Sequence, residues 1–94
     1  FNLFNKKIPS EKLRDECEKE LRGLCRKACN NTSDPMIQVL LVQNAIGSYC
    51  QARKQMSFAI VKQLSHLEDG FFQNDYELMI DKVVGKLLDE FIEY

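Results

Sequence analysis

Apolar side chains recur along this chain at intervals of three and four, the spacing at which residues return to one face of an α-helix. In the first third, Leu13, Cys17, Leu21, Leu24 and Ala28 advance by four, four, three and four residues and draw one narrow stripe. Pro9 and Ser10 open this stretch. Glu11, Asp15 and Glu16 stand near the positive end of its dipole, and Arg26 and Lys27 near the negative end. The pattern predicts a surface helix over 10–29 that touches its neighbours with a single face.

Asn30-Asn31-Thr32-Ser33 interrupts the period with side chains that compete for backbone hydrogen bonds, and Asp34-Pro35 restarts it as an N-cap followed by the first helical position. From Pro35 to Asp69 no further proline intervenes and the only glycine is Gly47, so a second helix is predicted over 35–69, long and central. Val39, Val42, Ile46, Tyr49, Met56, Ile60, Leu64 and Leu67 form its main stripe, with Ile37, Leu41, Ala45, Ala52 and Ala59 alongside. An unbroken helix of that length spans roughly 50 Å at 1.5 Å per residue. Gly47-Ser48 is the place where a bend is tolerated, because glycine in a helix interior costs up to about 1 kcal/mol relative to alanine.

Gly70 suits a left-handed C-cap, and Asn74 stands three residues before Glu77 as an approximate capping box. A third helix over 75–93 then buries Tyr76, Met79, Ile80, Val83, Val84, Leu87, Leu88, Phe91 and Ile92, the most regular stripe in the chain. The short connection makes the second and third helices antiparallel neighbours. The fold class read from these patterns is all-α: one domain over 1–94, a small bundle of three helices, with 1–8 as an N-terminal arm.

Composition narrows the function more than it identifies one. Ninety-four residues allow one core, and 45% apolar content with six Phe excludes a disordered chain. A net charge of −1 gives no sequence-independent attraction for phosphate, so no nucleic acid is expected as a partner. The charge is uneven: residues 1–33 carry eight bases and five acids, residues 70–94 two bases and six acids, so the first and last helices should attract one another. Gln38, Gln43 and Asn44 interrupt the most apolar stretch, which leaves no membrane span. Phe1 to Lys7 lacks the order of a signal peptide, and a chain beginning with Phe reads as an excised domain or a mature product. The compartment stays open, with an intracellular setting slightly favoured over a secreted one.

Candidate chemistry is sparse. Cys17 and Cys50 fall within one turn of each other if the first two helices form an antiparallel hairpin, which opens a disulfide; the competing reading is four buried thiols acting as small hydrophobes. Cys25 and Cys29 lack the second ligand pair a structural zinc site needs, so no metal and no cofactor are expected. Asn30 and Asn31 begin overlapping glycosylation sequons in a turn. His66 reads as a helix-end residue, and the acids Glu77, Asp81, Asp89 and Glu93 as a solvated face, so no enzyme is expected. Phe1, Leu3 and Phe4 precede the first helix, and Phe71 and Phe72 occupy a turn, as core plugs or groove ligands.

The uncharged run from Met36 to Ile46 is the feature that a three-helix monomer covers least easily. It points to a non-enzymatic module for protein–protein interaction or oligomerisation, with a protein partner and a homo-oligomer, a homodimer first, as the expected assembly. The interface candidates are Met36, Ile37, Leu40, Leu41, Ile46, Phe71 and Phe72, and Leu41→Lys is expected to dissociate the pair. Two alternatives stand beside it: a secreted helical ligand or effector held by Cys17–Cys50, and a carrier of small apolar ligands.

Overall fold

The computed structural model describes residues 7–92. It is all-helical, with four helices: α1 (Ser10–Asn30), α2 (Pro35–Gln55), α3 (Phe58–Ser65) and α4 (Gln73–Phe91). The long helices α1, α2 and α4 pack pairwise against one another. Contacts fix their directions. Glu18 and Arg22 of α1 pair with Lys86 and Glu90 of α4 in the same order, so these helices run parallel. The Tyr76 hydroxyl donates to the Arg53 carbonyl, and Lys54 pairs with Asp81, so α4 starts beside the end of α2 and runs antiparallel to it.

The helix count corrects the expectation of three. Gly47 lies inside an unbroken α2, and the chain breaks at Met56 and Ser57, both of which adopt extended backbone. Tertiary packing explains the site of the break. The new helix turns the Phe58 ring against Tyr76 and Phe71 in tilted contacts, ring centroids 5.8 Å and 6.1 Å apart, and buries Val61. The break also resets the helical register, so Met56, Ile60 and Leu64, expected on the buried stripe, are exposed instead.

Local chemistry sets the other ends. One carboxylate oxygen of Asp34 accepts from the Met36 N–H at 2.9 Å and the Ile37 N–H at 3.5 Å, with Pro35 at the first helical position, as the sequence predicts. The Gln38 side-chain amide donates to the carbonyls of Cys29 and Thr32, which ties down the end of α1. α3 ends on His66 in the left-handed conformation, φ 54°, while Gly70, φ 89°, serves the following turn rather than the helix end. The α4 N-cap is Phe72, not Asn74: its N–H donates to the Asp75 carboxylate at 2.9 Å.

The segment before α1 is stitched to the α3–α4 connection. Ile8 pairs in parallel with Leu67: its N–H donates to the His66 carbonyl at 2.8 Å, and the Glu68 N–H donates back to the Ile8 carbonyl at 2.9 Å. The Ser10 N–H then donates to the Glu68 carboxylate. Phe1, Leu3 and Phe4 lie outside the described residues.

The core is built from Leu13, Cys17, Leu21, Cys25 and Ala28 of α1, Val42, Ile46 and Tyr49 of α2, and Tyr76, Met79, Ile80, Val83 and Leu87 of α4, with Val61 and Leu67 closing one end. Cys25 takes the place expected of Leu24. Four-residue steps from Leu13 carry the stripe to Cys25, and Leu24 is left exposed.

Candidate interaction surface

In a bundle of three mutually packed helices each one turns a single face outward, and charge differs sharply among these faces. The exposed positions of α1 include Glu11, Lys12, Arg14, Asp15, Glu16, Lys19, Glu20, Arg26 and Lys27, and those of α4 include Asp75, Asp81, Lys82, Lys86, Asp89 and Glu90. From Pro35 to Ala52, α2 carries no charged residue, so its outward positions Met36, Ile37, Leu40, Gln43, Asn44, Gly47, Ser48 and Gln51 form a neutral strip. The large apolar members cluster at its N-terminal end. Met36 is 75% exposed, Leu40 56% and Ile37 44%. Met36 and Leu40, with Asp34, Pro35 and the half-buried Val39, frame a shallow apolar depression.

The interface candidates therefore divide. Met36, Ile37 and Leu40 lie together on the open face. Leu41 is half-buried against the core and Ile46 is fully in it, since one residue of advance turns a side chain by about 100° around the axis. These two are corrected from interface to core-side residues, and Leu40 replaces Leu41 as the position where a charge would disturb only the surface. Phe71 is a core plug, half-buried against Phe58, whereas Phe72 is exposed at the start of α4. Gln43 and Asn44 lie within the uncharged run read from the sequence without being named as contacts; Gly47, Ser48 and Gln51 lie beyond it, and their signal is the continued absence of charge after Ile46.

A second exposed apolar group, Met56, Ile60 and Leu64, lies on α3 and the break before it. It adjoins the end of the bundle at which Ile8 pairs with Leu67. The strip on α2 begins at the opposite end, beside the α1–α2 turn.

The four cysteines are free. The Cys17–Cys50 bond that a hairpin permits is not made, and the geometry gives the reason: Tyr49 faces Cys17, its hydroxyl donating to the Cys17 carbonyl at 3.4 Å, and Cys50 is rotated one residue away. Burial pushes the Cys17 and Cys25 thiols above their ordinary value, which holds them protonated. Asn30 and Asn31 are both exposed, at the last residue of α1 and its C-cap. Among the described residues no group of three or more His, Cys, Asp and Glu side chains is placed to hold a metal ion.

The charged side chains between α1 and α4 are consumed in pairing. Glu18 accepts from Lys86 at 2.6 Å and from Arg22 at 3.3 Å, while Arg22 also reaches Glu90. The Lys86 hydrogen bond, reinforced by Arg22, holds the Glu18 carboxyl below the usual carboxylate range, and Arg22 does the same for Glu90. On the other side of α1, Arg53 pairs with Glu20 and lies over the Tyr49 ring at 5.7 Å. These groups join helices, and each cation has a carboxylate partner within the chain.

No helix among the described residues is long and apolar enough to cross a membrane. Compared with protein-family models, curated proteins and solved structures, the chain matches none.

Proposed function

We propose that this chain is a non-enzymatic helical interaction module that associates with a second copy of itself through the outward face of α2. One observation supports the reading: α1, α2 and α4 pack pairwise, α1 and α4 expose Leu24 and Leu78 among charged residues, and among the described residues α2 alone of the three turns an uncharged, partly apolar face to solvent from Pro35 to Ala52. Burial of the inward stripes accounts for Val42, Ile46 and Tyr49, but places no demand on Met36, Ile37 or Leu40. Surface helices ordinarily carry charge on such positions, and an exposed apolar cluster rimmed by polar residues marks a contact surface.

The two alternative readings have less behind them. A disulfide-held ligand lacks its bond, because the thiols are free. An apolar-ligand carrier needs an enclosed chamber, whereas the depression beside Met36 lies open on the surface.

The test is sedimentation velocity of the native chain and of Leu40→Lys over a dilution series reaching high micromolar concentration. The reading predicts a dimer for the native chain and a monomer of unchanged helicity for the variant. A native chain that sediments as a monomer throughout contradicts it.

A further inference from the structure

We draw no further inference here: the strongest candidate, the exposed apolar patch that Met56, Ile60 and Leu64 form on α3 and the break before it, is an unpartnered face, and nothing in the structure shows what covers it.

Discussion

Arg22 on α1 grips Glu90 on α4 with two hydrogen bonds, 2.6 Å from Nε and 2.8 Å from Nη2, one to each carboxylate oxygen. This forked geometry holds planar groups in one orientation, and it joins the basic first third of the chain to the acidic last third. Glu18 extends the link by accepting from both Arg22 and Lys86.

Acid should loosen this junction first. Glu18 and Glu90 are held below the ordinary carboxylate value in the folded chain, so their stabilisation is complete at neutral pH. It fades as pH falls through the lowered folded-state values, where the unfolded chain already binds these protons. Arg22→Ala should cost about 1 kcal/mol near neutrality. The variant should also lose less stability than the native chain between pH 7 and pH 3, as measured by urea unfolding at each pH.

Thiol reactivity should follow burial. In the native chain an alkylating reagent is expected to modify the half-buried Cys29 and Cys50 first, and the buried Cys17 and Cys25 only after denaturation. Intact mass before and after denaturation checks this, and equal rates at all four positions would contradict the packing. The same burial predicts that Cys25→Ser, which places a hydroxyl in the core, destabilises by about 1–3 kcal/mol. Leu24→Ser, at the neighbouring exposed position, should cost well under that.

The three helical glycines separate stability from association. Gly23, Gly47 and Gly85 each have room for a methyl group, so replacement by Ala should stabilise the monomer by about 0.5–1 kcal/mol at each position. Of the three, Gly47→Ala alone should also weaken the proposed dimer, because of these glycines Gly47 alone lies on the neutral strip. Thermal unfolding and sedimentation of the three variants, side by side, make the distinction.

Much of this fold is legible in the residues themselves, and the exceptions share a cause. The start of α2 follows from Asp34 and Pro35 because a cap is a local interaction, and the buried stripe of α4 follows from its period. The break at Met56 and Ser57 does not. No Gly or Pro marks it, and it exists because Phe58 gains Phe71 and Tyr76, partners distant in sequence. Where packing decides, local propensity is silent. The candidate surface was half visible for the same reason: the lack of charge is written in the sequence, but which side of α2 faces outward depends on where α1 and α4 settle. Hence Leu40 lies outside while Leu41 and Ile46 turn inward.

The most direct measurement is a dilution series followed by backbone amide NMR, which locates the contact residue by residue. Concentration-dependent shifts are predicted at Met36, Ile37, Leu40, Asn44, Ser48 and Gln51, with the exposed positions of α1 and α4 unmoved. Shifts centred on another helix, or spectra that do not change between low and high micromolar concentration, would contradict the claim that the neutral face of α2 is where this protein meets its own copy.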